Sequence, residues 1–388
     1  MPRMTLMRWV RRAGAREDAG AVAVLVVVLL AGGVLLGMAA LTIDVGSLYG
    51  ERRQLQNSAD AGALSLAQDC VAQAAACTTT GASITGLVNS NDTSDGTSAV
   101  AGVCIRTGGV STGLCGGGGG LADCPAPPAG MDNYVEVRTS TRTSSGGTLL
   151  PPVFAQAIVN GYSGTRVGAC TRVAWGGPRG LSSAVPLTIS NCEFQHYVGN
   201  PPNFAPPPPY PPTPGATWPA ASYEHVIFFH DTTEALAGSC PTGQAGSDDP
   251  ISGGFGWLES TNCVASSDIV NWFDASPGTS PGSDCRAAEF ASSYGQLVDI
   301  PIYDGTNGLN GANGKYHMRG YAAFVLTGYY LGGSYKKPSL MTGQLPCGQT
   351  PTTGSQRCIS GFFTHDLTPT SGVIGGAFLG VPVIQMIG

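Results

Sequence analysis

The sequence predicts an α+β protein in which a single N-terminal transmembrane helix continues into a long helix and is followed by β-rich, disulfide-containing exported domains. Residues 21–43 carry no charge, the helical spacing of apolar residues continues beyond them, and all 12 cysteines follow that segment. Charged residues make up only 11% of the 388, and those after residue 20 are mainly acidic. No nucleic-acid surface is therefore expected.

The uncharged segment extends from Ala21 to Ile43. As a helix it would span about 34 Å, slightly more than a hydrocarbon core of about 30 Å. Its 13 Leu, Val and Ile residues favour insertion by about 4–8 kcal/mol. Five arginines in the basic segment 1–20 predict a cytoplasmic N-terminus and an exported remainder. The alternative is a secretory signal cleaved near Gly37-Met38-Ala39.

Beyond the bilayer an apolar stripe continues at helical spacing, with charged and amide side chains on the other face. This pattern predicts one helix from Ala21 to about Ala76, roughly 84 Å long. Such a length greatly exceeds the usual 10–14 residues of a globular helix. The stripe consists of Leu41, Val45, Leu48, Leu55, Ala59, Gly62 and Leu66.

The same residues carry a family resemblance. The runs Gly20-Ala21-Val22-Ala23-Val24, Thr42-Ile43-Asp44-Val45-Gly46, Arg53-Gln54-Leu55-Gln56-Asn57 and Ala59-Asp60-Ala61-Gly62-Ala63-Leu64 resemble the N-terminal module of bacterial Tad/Flp pilus-assembly proteins of the TadE/TadG-like group. The resemblance implies a pilin-like helix in a structural, non-catalytic envelope protein, either a minor pilin or an assembly factor. Membrane lipid and other pilus-assembly proteins are the implied partners. The motif residues are Asp44, Gly46, Gln54, Leu55, Asn57, Ala59 and Asp60.

Residues 44–177 are predicted to form the long helix plus a small α+β unit. Within this unit a Gly/Ser/Thr-rich loop covers 79–130. Alternating residues from Tyr134 to Arg138 predict a half-buried strand. Leu149 to Val159 has helical spacing behind two prolines, and Thr165 to Trp175 predicts a second strand. The two strands resemble the pair that follows the helix in the same family.

Residues 178–388 are predicted to form a β-rich domain, sandwich-like or barrel-like. A spacer at 201–219 has 10 prolines among 19 residues, which excludes it from a sheet interior. Several segments of this region resemble the uncharacterised C-terminal regions of high-GC bacterial members of the family, and that resemblance implies no function for them. Expected strands cover Glu224–His230, Leu297–Tyr303, Tyr316–Tyr330 and Cys358–His365.

The even number of cysteines on the exported side predicts structural disulfides. Cys347 with Cys358 is the first expected pair because it closes a short turn. Cys263 with Cys285 is another candidate, and Cys70 with Cys77 requires the long helix to end between them. Metal ligation is the alternative, but the sequence has no C-x-x-C motif and no histidine at ligand spacing. No cofactor is expected.

Catalytic patterns are sparse. Gly109 to Gly113 fits a nucleophile elbow, which needs a strand before it and a helix after it. His230-Asp231 ends an apolar run, and the oxygen-rich loop from Asp304 to Gly314 lacks the spacing of a calcium-binding EF-hand. Structural roles are favoured for all of these residues. An anchored or secreted hydrolase and a cell-surface binding module unrelated to pili remain the alternative functions.

Overall fold

The computed structural model describes the greater part of the chain after residue 19. The described residues are 20–80, 84–86, 88, 98–115, 123–143, 146–183, 185–199, 202–207, 209–211, 215–229, 254–276, 281–307, 314–347, 357–366 and 372–388. Outside these ranges lie the basic N-terminus, the His230-Asp231 pair and parts of the two predicted loops, 79–130 and Asp304 to Gly314. Element names below refer only to the described residues.

The N-terminal helical region has two parts. Helix α1 covers 20–31 and helix α2 covers Val34–Ala72. Between them Gly33 has a φ of 69°, a left-handed conformation that glycine adopts without steric cost. The expected uninterrupted helix from Ala21 is therefore divided at Gly32-Gly33. None of the helices in the described ranges combines the length and apolarity needed to cross a membrane.

Helix α2 ends close to the expected position. Gln73 is extended, and a short 3₁₀ turn at Ala74–Ala76 follows it. The disulfide between Cys70 and Cys77 closes the end of the helix. Because the turn leaves the helical path directly after Ala72, the two cysteines can meet although only seven positions separate them.

Four antiparallel strands form a sheet against α2. They are β1 Ala99–Thr107, β2 Val110–Gly113, β3 Tyr134–Ser140 and β4 Gly168–Pro178, in the order β2-β1-β3-β4. Leu66 and Val71 of the helix pack against Val135, Val137 and Val173 of the sheet. Gly62 allows a close approach at this packing surface, since a Cβ there would lie 3.0 Å from the Val88 side chain and 3.4 Å from that of Val137.

The short helix between β3 and β4 is much shorter than the expected Leu149–Val159. Helix α3 covers only Ala155–Ile158, and Leu150 instead forms an isolated bridge with Thr165. Pro151 and Pro152 have no amide hydrogen, and residues 153–154 between them and the helix form a bend. The strand expected from Thr165 begins at Gly168.

The remaining chain is rich in strands organised around β12, Lys315–Gly332. Four strands pair with it in antiparallel orientation, namely β10 Trp272–Asp274, β11 Leu297–Asn307, β13 Tyr335–Lys337 and β14 Cys358–Thr364. The other elements are β5 Gly180–Ser183, β6 Leu187–Ser190, α4 Asn191–Val198, β7 His225–Phe228, β8 Phe255–Trp257, β9 Ala265–Asp268 and α5 Ala287–Phe290.

The last two strands connect this region to the first sheet. β15, Ile374–Leu379, lies parallel to β12 and also pairs with the end of β4. β16, Val383–Met386, pairs antiparallel with β4. The pairing therefore crosses the position after residue 177 where the sequence suggests a domain boundary, and the C-terminus adds a strand to the helix-packed sheet. The described strands thus form a β-rich architecture with an N-terminal helix and disulfides.

Candidate functional site

The family-motif residues lie where the long helix first contacts the rest of the protein. Before this point most of the described apolar side chains are exposed, with Val22 63% exposed and Met38 65% exposed. Asp44 is the first buried side chain of the helix among the described residues, and Leu55 and Ala59 further along are completely buried. From Asp44 onward the helix therefore packs against the rest of the protein, whereas its apolar side chains before Asp44 are exposed.

Asp44 holds the segment before α3 against the long helix. Its Oδ1 accepts a hydrogen bond from the Val153 amide at 2.8 Å, and its Oδ2 accepts one from the Ala155 amide at 2.6 Å. The Phe154 amide donates to both oxygens. These amides precede or begin a helix and have no intrahelical acceptor. The carboxylate thus caps α3 from 109 or more positions away in sequence.

A second polar contact secures α2 to strand β4. Gln56 donates from Nε2 to Asp60 Oδ1 at 2.9 Å and to the Thr171 hydroxyl at 2.7 Å. The Thr171 hydroxyl in turn donates to Asp60. Leu55 packs with Leu150, Val167 and Ala169. The Arg-Gln-Leu-Gln run and Asp60 therefore dock the helix on the sheet.

The motif residues do not all share this role. Asp44, Leu55, Ala59 and Asp60 face the folded unit, and Gln54 is half-buried. Gly46 and Asn57 lie on the exposed side of the helix. The sequence suggests that Asp44 marks the membrane boundary, because it directly follows the uncharged segment 21–43. In the structure it also positions a loop, a role that depends on a contact too distant in sequence to be deduced.

Replacing Asp44 with alanine tests this capping role. Three buried or half-buried amides would lose their acceptor, so we expect a loss of about 2 kcal/mol in local stability. Hydrogen exchange at residues 153–159 measures it, and exchange there should accelerate while β12 remains protected. Asn57→Ala on the exposed side of the same helix is the control. Equal exchange in the two variants would contradict the role of Asp44.

Disulfides stabilise both sheet regions. The structure joins Cys70 to Cys77, Cys263 to Cys285 and Cys347 to Cys358, the pairs expected from sequence. It also joins Cys104 to Cys115 and Cys124 to Cys170, and Cys192 is disulfide-bonded as well. The spacing of the cysteines does not indicate the pairs Cys104–Cys115 and Cys124–Cys170 or the bonding of Cys192. No cysteine in the described ranges is a free thiol.

One potential metal-ligand cluster occurs among the described residues, formed by Cys124, Glu136 and Cys170. The two cysteines are joined to each other, so they offer no thiolate, the form in which cysteine binds metal. The Glu136 carboxylate is engaged by two arginines. This cluster is therefore a structural crosslink beside an ion pair.

The described residues do not bring the sequence-based catalytic candidates together. Gly109 to Gly113 forms the turn and second strand of the β1–β2 hairpin, without the helix that a nucleophile elbow requires. His317 contacts Asp304 at 2.7 Å on a partly exposed strand pair, and much of the Asp304–Gly314 loop lies outside the described residues. So does His230-Asp231.

Sequence reasoning missed two groups of buried ionisable side chains. Glu136 and Arg172 form an ion pair inside the first sheet region. Glu193 and Asp299 are carboxyl groups in the second region, and burial raises the pKa of each to about 7. The nearby Asp366 contributes to the rise at Asp299. The only advance signal is an acidic residue within each apolar segment.

Comparison with known proteins gives one family match. Residues 20–69 match the model of the family described as putative Flp pilus-assembly TadE/G-like. This confirms the resemblance of the N-terminal module, and its range includes every motif residue from Asp44 to Asp60. The C-terminal region has no family match. Comparisons with curated proteins and with solved structures return no match.

Proposed function

We propose that this protein is a single-pass, membrane-anchored envelope component of the Tad/Flp pilus-assembly type, acting structurally as a minor pilin or assembly factor. The observation that carries the proposal is the exposed apolar surface of residues 21–43. This segment lies within residues 20–69, which match the TadE/G-like family model. The match supports a pilus-related envelope role, and the anchor and the structural assignment are our extension of it.

The exposed segment requires an apolar environment. Val22, Val24, Leu25, Val27 and Val28 each expose about three-fifths of their surface, whereas large contiguous apolar patches are rare on soluble monomers. A bilayer or the helices of other pilin-like subunits would cover them. The arginines of residues 1–20 favour a cytoplasmic N-terminus and an extracytoplasmic remainder.

Membrane fractionation of the full chain tests the anchor. Val27→Asp together with Leu30→Arg places two charges in the uncharged segment, at a cost of about 2.5–3.5 kcal/mol each near the bilayer centre. Both side chains are exposed, so the folded unit loses no packing. We expect the wild-type chain in the membrane fraction and the variant largely outside it. Asn57→Arg is the control, and unchanged distribution of the double variant would refute the anchor.

Cross-linking in cells tests the pilus role. A photoreactive amino acid in place of Met38 lies on the exposed helix, and the same group in place of Val110 lies on the exposed β2 strand. We expect adducts with pilin-like subunits from position 38 and few from position 110. Capture of no pilus component from either position, with normal filaments after gene deletion, would favour a cell-surface module unrelated to pili.

A further inference from the structure

A second uncharged surface lies beside the long helix. Residues 143–165 contain no charged side chain and are bounded by Arg142 and Arg166. Within this segment Val153 is 54% exposed and Phe154 is 42% exposed. Leu149 and Val159 are also exposed. A loop that presents four large apolar side chains to its surroundings, with no charge among them, requires a covering partner.

Asp44 determines the position along the long helix at which this loop packs. Its carboxylate binds the amides of Val153 to Ala155, and it directly follows the uncharged segment that ends at Ile43. The exposed helix residues Leu41, Val45 and Tyr49 lie on either side of Asp44 in sequence. Loop and helix therefore present apolar side chains at the position where the helix would leave the bilayer.

Two cavities flank the helix at the same level. The first has a volume of about 410 Å³ and is mainly apolar, with a lining that includes Leu41, Val45, Leu48, Pro151, Val159 and Tyr162. The second has a volume of about 330 Å³, and its lining includes Val45, Tyr49, Arg52 and Arg166. Arginine binds phosphate groups with directed hydrogen bonds. An apolar cavity next to a cavity bearing two arginines matches the two parts of a phospholipid.

We propose that the exported unit rests on the bilayer surface, with the loop 149–162 inserted into the interface of the outer leaflet and with Arg52 and Arg166 facing lipid phosphates. This inference rests on the proposed anchoring of residues 21–43. Lipid is favoured over a protein partner because the surface is continuous with the anchor. In addition, Tyr49 and Tyr162 are of the aromatic type that concentrates at membrane interfaces.

Lipid cross-linking tests the inference on the full chain. The protein is inserted into vesicles of equal parts phosphatidylglycerol and phosphatidylcholine, with a diazirine amino acid in place of Val153. Mass spectrometry then detects phospholipid adducts, which we expect at this position. Val270 is equally exposed but lies on the second sheet region, so the same group there should give none.

A third position separates failure of the inference from failure of the anchor. The diazirine in place of Leu25 reports the anchor itself. Adducts at 25 without adducts at 153 would overturn the interfacial loop while leaving the anchor intact, whereas no adducts at 25 would overturn the anchor. Efficient cross-linking of position 153 to a protein in cells would also overturn the lipid assignment.

The two arginines are tested by the composition of the adducts. Adducts at position 153 should be enriched in phosphatidylglycerol over phosphatidylcholine. Arg52→Gln with Arg166→Gln should reduce that enrichment by about fivefold for each lost charge. Arg53→Gln is the matched control, because Arg53 is exposed on the same helix but does not line the cavity. Equal enrichment in the wild type and the double variant would show that these arginines do not select anionic lipid, and it would overturn their assignment to lipid headgroups.

Discussion

Arg172→Ala should destabilise the helix-packed sheet by about 3 kcal/mol, at the low end of the cost of breaking a buried ion pair. Arg172 is 3% exposed and its partner Glu136 is 1% exposed. The two residues face each other across β3 and β4, and their side chains form an ion pair. Removing the arginine leaves the buried Glu136 carboxylate without one of its two positively charged partners. The second partner, Arg138, lies 2.5 Å from the other carboxylate oxygen and still neutralises part of the charge.

Arg172 has further contacts that the alanine variant would lose. Its guanidinium donates to the Pro125 carbonyl and lies 5.2 Å from the centre of the Tyr134 ring. Its backbone carbonyl, which the alanine variant keeps, accepts a hydrogen bond from the Ile387 amide, and Ile387 packs in a cluster with Tyr134 and Ala174. We therefore expect faster hydrogen exchange in β3, β4 and residues 383–387, together with a lower midpoint of thermal unfolding.

A double variant separates the ion pair from simple loss of packing. Replacing both Arg172 and Glu136 with methionine removes the uncompensated charge, and such replacements are often nearly neutral. We expect it to be more stable than Arg172→Ala, with β3 and β4 again protected from exchange. If both variants lose the same stability, or if Arg172→Ala loses less than about 1 kcal/mol, then the ion pair is not the main contribution of Arg172.

This ion pair shows where sequence reasoning ends. The alternation Tyr134-Val135-Glu136-Val137-Arg138 correctly predicts a strand with one apolar face. It also suggests that Glu136 faces solvent, since alternating strands are usually half-buried. In the structure, Arg172 donates a hydrogen bond to the Pro125 carbonyl on the second face, and Met131 and Ile387 pack there with Tyr134. Because the residues that cover this face are distant in sequence, no local sequence pattern indicates that Glu136 is buried.

Other features of the fold likewise fall into those that the local sequence predicts and those that depend on long-range contacts. The run Tyr316–Tyr330 predicts a strand that the structure contains as β12, and short sequence separations indicate several of the disulfides. The break at Gly32-Gly33 was missed because glycine is also common within membrane helices. The capping of α3 by Asp44 and the pairing of β16 with β4 depend on tertiary contacts between distant positions. Local periodicity therefore predicts many of the elements, but β1 and β2 lie within 79–130, which the sequence predicts to be a loop. The long-range contacts that form the candidate site need the structure.

Glu193→Gln should stabilise the second sheet region by up to about 3 kcal/mol at alkaline pH and have little effect near pH 4. Glu193 lies in the first turn of α4 and is 1% exposed. Neither carboxyl oxygen accepts a well-formed hydrogen bond from the described residues. Burial raises the pKa of this carboxyl from 4.5 to about 7, and the Gly254 backbone offsets part of the rise.

The sign of the effect follows from the two pKa values. Below pH 4.5 the carboxyl is protonated in both the folded and the unfolded chain, so its ionisation costs nothing. As the pH rises to about 7 the unfolded chain ionises while the folded chain stays protonated, which favours unfolding. The contribution of Glu193 to stability is thus present in acid and lost towards neutral pH. Glutamine stays neutral throughout and avoids that loss.

Denaturant unfolding at pH 4.5 and pH 9 measures the effect, with exchange of the β6 and β11 amides as a local readout. The wild type should lose stability between the two values, and Glu193→Gln should lose less. Asp299 keeps part of the pH dependence, because burial and Asp366 raise its pKa to about 7 as well. Glu259→Gln is the control, since Glu259 is exposed. If Glu193→Gln and Glu259→Gln lose stability equally with pH, Glu193 is not a buried acid that titrates near neutrality.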